Sequence, residues 1–239
     1  MIKQVFLAAL LLTASYGYSQ DCQSFFFFQK NKTIEMSISN KKGEPNGKQV
    51  YQVSDVTIAG GTTTATIATE MFDKNGNSLA KSNSSVQCHE GTIMVDMRMM
   101  LPPRESEQYA ASARTQSFLL EYPTAMHVGD ALKDGNLSMQ LNMPPPGAGA
   151  PPGPPGPPGF GRTINMAISN RKVEAQESVT TPAGTWNCYK ISFKCRMTVK
   201  NGVPFAIPVN LDGFEWYAPG FGVVKSQTKN SSTQITSIK

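Results

Sequence analysis

The sequence predicts an all-β protein: a single antiparallel open barrel or strongly curved sheet of about a dozen strands, with one short helix and a proline-rich loop. Three observations predict it. Apolar and polar residues alternate in short runs, as in 32–40, where Ile34, Met36 and Ile38 sit between polar neighbours. Turn chemistry separates the runs, at 43–47, Gly60-Gly61, Asn75-Gly76 and Asn201-Gly202, and the Asn-Gly pairs are the strongest short hairpin signals. β-branched residues crowd the runs, above all 62–72. At 239 residues with 39% hydrophobic and 16% charged, the chain is one full-sized domain, and wholesale disorder and a long coiled coil are excluded.

In chain order, Lys3 precedes an apolar run over 5–14 that is too short to span a bilayer. Gly17 and Ser19 then place small residues before a cut at Gln20, so 1–19 reads as a signal peptide. Cys22 follows Asp21 rather than a small residue, which argues against a lipid anchor. No later stretch reaches the apolar length of a membrane span, so 20–239 is read as a single exported barrel-like domain that does not cross the membrane.

Strands are expected over 32–40, 50–56, 62–72, 82–89 and 92–100. Residues 104–115 read as the one helix, rich in Glu, Gln and Ala. Further strands are expected over 118–122, 137–141, 164–173, 177–181, 186–199, 214–217, 223–227 and 234–238. Nine of the 17 prolines fall in 144–161, which is read as a flexible Pro/Gly-rich insert, too short for a collagen helix. Residues 32–42 and 162–172 match at seven of eleven positions. Two related half-sheets would produce that echo, as would two strands of similar alternation.

Four cysteines allow three complete pairings. Cys188 and Cys195 sit on opposite faces of one expected strand, about 23 Å apart, so they cannot bridge each other. The favoured arrangement is one bridge, Cys22–Cys88, with Cys188 and Cys195 reduced. No C-x-x-C, G-x-S-x-G, H-E-x-x-H or phosphate-loop motif is present, and two histidines leave little for a metal site. Met94, Met97, Met99 and Met100 could hold copper(I), but Met97 and Met99 continue the face of Ile93 and Val95, which is core filling. No catalytic residue, cofactor or metal is therefore expected.

The net charge is +5, one less after loss of Lys3, and its basic residues look scattered. Nucleic acid is not an expected partner, while weak attraction to anionic envelope polymers is compatible with this charge. Phe25–Phe28 reads as an extended apolar segment with side chains on both faces. Phe214, Trp216, Tyr217 and Phe221 are the candidate ligand contacts, since a curved sheet lined with aromatics can enclose an apolar or glycan-like ligand; the competing reading is that they fill the core.

The segments Ser169-Asn170-Arg171-Lys172-Val173-Glu174, Thr181-Pro182-Ala183-Gly184-Thr185-Trp186-Asn187-Cys188-Tyr189 and Trp216-Tyr217-Ala218-Pro219-Gly220-Phe221-Gly222 resemble the TapB-like family of exported bacterial proteins. Residues 72–76, 95–97 and 190–192 share the likeness, which covers nearly all of 20–239 outside the proline insert. The start, 22–28, departs from it by lacking a Tyr-Phe-Pro and a glycine-containing turn. The resemblance implies a barrel-like exported domain with no established enzyme activity and no catalytic residues to carry over. It also casts Pro182 with Gly184, and Pro219 with Gly220, as structural turns: proline fixes φ and glycine permits a positive one. The expected function is that of a non-catalytic cell-envelope protein that binds an apolar or glycan-like ligand in its barrel. The alternative is a structural or protein-interaction module using the proline loop or a sheet edge.

Overall fold

In the computed structural model, which describes residues 22, 25–100, 118–141, 162–201 and 207–239, the alternating runs become thirteen strands of one antiparallel sheet. β1 (Thr33–Asn40), β2 (Pro45–Ala59), β3 (Thr62–Asp73), β4 (Ser78–His89), β5 (Thr92–Asp96) and β6 (Leu119–Tyr122) pair in chain order. A second meander comprises β7 (Gly135–Leu141), β8 (Arg162–Thr181), β9 (Gly184–Asn201), β10 (Ile207–Asn210), β11 (Gly213–Ala218), β12 (Gly222–Thr228) and β13 (Ser231–Ile238). Within it, β10 and β11 share one edge of β9 end to end, at 196–199 and 189–193. The two meanders join where β1 pairs with β13, Ile34 opposite Ile238 and Asn40 opposite Ser231.

β6 and β7, consecutive in sequence, are the two ends of the sheet, and their approach leaves a nearly closed barrel. Gly135 at the start of β7 is so close to β6 that an added Cβ would lie 2.8 Å from Leu120 and 2.8 Å from Met97. Across this seam no ladder forms, and the connection 123–134 instead continues the pairing along the edge of β8. Gly129 N–H donates to Val173 C=O (2.8 Å), Val173 N–H to Asp130 C=O (2.9 Å) and Leu132 N–H to Arg171 C=O (2.9 Å). Alternation places Val53, Ala65, Ile67, Val86, Ile164 and Ile191 in one continuous buried core.

Several boundaries differ from the sequence expectation. Pro45–Gly47 belong to β2 rather than to the turn, because the turn closes earlier: the Asn40 side-chain carbonyl accepts from the backbone N–H of Lys42 (2.8 Å) and Glu44 (3.1 Å). Met97–Met100 form a single 3-10 turn instead of extending β5, with Met97 fully buried. Phe26–Phe28 also form a 3-10 turn rather than an extended segment. The two segments 164–173 and 177–181 are one strand, β8, with irregularities that keep it paired to β9 throughout. The echo residues lie in the first strand of one meander and the second of the other, so the repeat falls on non-equivalent positions. The expected signal peptide, the helix over 104–115 and the proline insert lie outside the described residues.

Candidate functional site

The four aromatic residues singled out in the sequence do not line one cavity; they divide among three places. Phe221 belongs to an aromatic plug. Its ring centroid is 4.8 Å from Phe26 and 4.4 Å from Trp186, and Phe25 packs on Phe27 and Phe28. The plug is seated by the bond from Phe26 N–H to Gly220 C=O (3.0 Å) in the β11–β12 turn, where Gly220 has φ +75°. The chain just before the plug is tied down by a disulfide from Cys22 to Cys88 of β4, Cα atoms 5.8 Å apart. A disulfide fits an extracytoplasmic location. Trp186 itself is held by Thr181, whose hydroxyl accepts from the indole N–H (3.3 Å) at the two-residue Pro182-Ala183 turn. Gly184 closes that turn with φ +146°, a backbone state that side-chain-bearing residues rarely adopt.

Tyr217 lies on the other side of β11 from Trp216, stacked on Tyr122 with ring centroids 4.7 Å apart and planes 6° from parallel. Beneath them is a buried ion pair. In β8, Ser169 pairs with Lys194 but Lys172 pairs with Ser192, so two residues, Asn170 and Arg171, oppose one. That bulge reverses the phase of the strand: Ile164, Met166 and Ile168 face inward before it, Arg171 and Val173 after it. Arg171 is 1% exposed. Its guanidinium donates to the Glu121 carbonyl of β6 (2.9 Å), to the Lys133 carbonyl ahead of β7 (3.1 Å) and to the Glu215 carboxylate (3.3 Å). The Tyr122 hydroxyl also donates to Glu215, at 3.0 and 3.1 Å, and the Arg171 guanidinium sits 4.6 Å from the Tyr122 ring centre. Arg171 therefore staples the seam that no ladder closes. Burial first, and then the Glu215 charge, push the Tyr122 and Tyr217 hydroxyls well above their ordinary range. From sequence alone Glu215, like Glu174 and Glu177, reads as solvated surface charge and Arg171 is not singled out, because a lone charge in a strand reads as surface. Both are buried here; the detectable signal was the break in alternation at 168–171.

The remaining two aromatics form a strip with lysines. Phe214 and Trp216 share one side of β11, and the register sets Lys190 of β9 and Lys225 of β12 directly beside Trp216. The Lys190 ammonium lies 4.9 Å from the Phe214 ring centre and 5.4 Å from that of Trp216, with Lys225 on Trp216 at 4.8 Å. The indole N–H donates to Glu177 at 2.5 Å, so Trp216 is fixed in place. Along this side burial rises from Phe214, 40% exposed, through Trp216 to Ala218, 3% exposed, near the plug. Such a strip offers an apolar ring face with positive charge alongside.

Cys188 and Cys195 are free and buried, and burial pushes both thiols up to about 11, helped by Glu177 and Asp212 respectively. Both stay protonated at neutral pH, poor states for a nucleophile or a metal ligand. Among the described residues, no group of three or more His, Cys, Asp or Glu could hold a metal ion. No helix among them is long and apolar enough to cross a membrane.

Residues 29–239 match the model of the DUF3108-like family, and the chain belongs to that family. Two solved structures share the fold. One is a candidate exported protein with a YmcC-like fold from Bacteroides fragilis, 21% identical, covering 90% of this chain and 98% of its own with a TM-score of 0.67. The other is a candidate lipoprotein from Parabacteroides distasonis, 19% identical, covering 92% of this chain and 100% of its own with a TM-score of 0.69. No curated protein matches the sequence.

Proposed function

We propose that this member of the DUF3108-like family, within its TapB-like part, is an exported, non-catalytic cell-envelope protein that binds a glycan-like ligand on the outside of its barrel. The observation that carries the reading is Phe214, left 40% exposed next to a fixed Trp216 and beneath the Lys190 ammonium. A sugar ring stacks its C–H face on such a side chain, and neighbouring polar groups fix its orientation. The buried places of Trp216, Tyr217 and Phe221 favour the outside of the sheet over an enclosed cavity.

The apolar start over 5–14 and the Cys22–Cys88 bridge support export. That bridge also occupies the sulfur a lipid anchor would need, which favours a free protein in the periplasm or outside the cell. A non-catalytic role draws on the protonated thiols and on ionisable groups consumed by the staple. The interaction-module alternative rests on β6 and β7, whose facing edges form no ladder with each other.

The test is a panel of immobilised neutral and acidic glycans probed with wild type and Phe214→Ala. Retention of at least one glycan class by wild type, lost in Phe214→Ala at unchanged melting temperature, is expected. Equal retention by the variant, or no retention by wild type, overturns the reading.

A further inference from the structure

The strands themselves arrange charge in a way the linear sequence conceals. Along β9, Ile191, Cys195 and Met197 are buried, so the even-numbered residues from Lys190 to Lys200 look outward. Those six positions are Lys190, Ser192, Lys194, Arg196, Thr198 and Lys200: four cations in one row about 33 Å long. Lys194, Arg196 and Lys200 are exposed, and among the described residues none makes an ion pair. Carboxylates meet the row only at its Lys190 end, where Glu177 lies 4.0 Å from the Lys190 ammonium while accepting from Trp216, and Glu174 accepts from Ser192 (2.7 Å) and pairs with Lys172; Asp212 accepts from the Cys195 backbone N–H (3.1 Å).

Beside the row, the neighbouring strand is low and polar. Asn165, Ala167 and Ser169 of β8 stand opposite Thr198, Arg196 and Lys194. Asn165 and Ala167, with Asn136 and Ser138 of β7, frame an open cleft of about 250 Å³ that Arg196 and Thr198 border. At the other end, the row terminates at Lys190 over Phe214 and Trp216.

We propose that this face binds a linear acidic polysaccharide, its carboxylates along the β9 row and one sugar stacked at Phe214. The inference rests on the glycan-binding reading above and specifies its ligand. A single compact anion would use one or two of these cations, whereas three unpaired cations in line, with Lys190 beyond them and a cleft beside them, match an extended polyanion. An anionic membrane would be met by apolar side chains protruding among the cations, but the neighbours on β8 are Thr163, Asn165, Ala167 and Ser169.

The experiment uses the whole mature protein with alginate as polyuronate probe, dextran as neutral control and phosphatidylglycerol vesicles. Three proteins are compared: wild type, the triple variant Lys194→Gln/Arg196→Gln/Lys200→Gln, and Phe214→Ala. Wild type should bind alginate over dextran, with affinity falling at least about tenfold on raising salt to ~300 mM. The triple variant should lose about tenfold or more at unchanged melting temperature. Equal binding of dextran, or full binding by the triple variant, overturns the acidic ligand while leaving glycan binding intact. Loss in the triple variant with none in Phe214→Ala supports the row and overturns the aromatic reading. Binding to vesicles without alginate, or to no probe, overturns the proposal.

Discussion

The two meanders handle charge differently. In the β1–β6 meander, cations at the sheet surface are matched across strands: Lys30 with Asp55 (2.9 Å), Lys48 with Glu35 (3.0 Å) and Lys81 with Glu70 (3.4 Å). In the β7–β13 meander, one arginine is buried with its carboxylate and Lys172 and Lys190 have carboxylate partners (3.4 and 4.0 Å), while Lys194, Arg196 and Lys200 of the β9 row are unmatched among the described residues. Exposed pairs contribute little to stability, about 0–1 kcal/mol each, so matching mainly removes surface potential. The difference teaches that the first meander is electrostatically quiet and the second holds a positive field on one face and a structural ion pair behind it.

The largest break in that comparison should come from Arg171. Arg171→Met leaves Glu215 buried without its cation, and urea unfolding should show a loss of about 3–5 kcal/mol; adding Glu215→Leu should restore much of it. A loss below about 1 kcal/mol would show that the staple does not hold the seam. Next in size is the first meander's clip. Cys22→Ser with Cys88→Ser opens a link between residues 66 apart and should cost about 2–4 kcal/mol, with a lower melting temperature. An unchanged melting temperature would mean the plug is secured by its rings alone. Smallest, and sharpest for the contrast, is Lys48→Gln against Lys194→Gln. The first should destabilise by less than about 1 kcal/mol, and the second should be neutral or slightly stabilising, since it relieves repulsion with Arg196. If Lys194→Gln destabilised more than Lys48→Gln, the row would have a structural partner.

Much of this fold was legible in the sequence because alternation and turn chemistry act locally. Asn75-Gly76 does close the β3–β4 hairpin, and the Thr181 to Gly184 segment does turn β8 into β9. The local rule failed where tertiary contact decides: Met97 leaves the strand pattern to sit against the seam, and the four phenylalanines coil into a plug. The site was less legible. Period-two spacing puts Phe214 and Trp216 on one side of β11 and Tyr217 on the other, but what each side meets, and the place of Phe221 in the plug, are decided by partners distant in sequence. Basic residues that look scattered are interleaved with core residues, and folding β9 flat sorts the two sets onto opposite faces. The only local mark of Arg171 is the break in alternation at 168–171, which does not say what buries it, because the groups that accept its hydrogen bonds lie 38 to 50 residues away.

The β1–β13 ladder has a kinetic consequence. Every other ladder joins strands that are neighbours in sequence or one strand apart, so each meander can zip up largely from hairpin closures, with the longer connections 97–118 and 142–161 closing β5–β6 and β7–β8. Only Ile34 against Ile238 and the pairs beside it must bring together strands from opposite ends of the described chain. The entropic cost of the long search is thus concentrated in one ladder, and the barrel has a lower contact order than its strand number suggests.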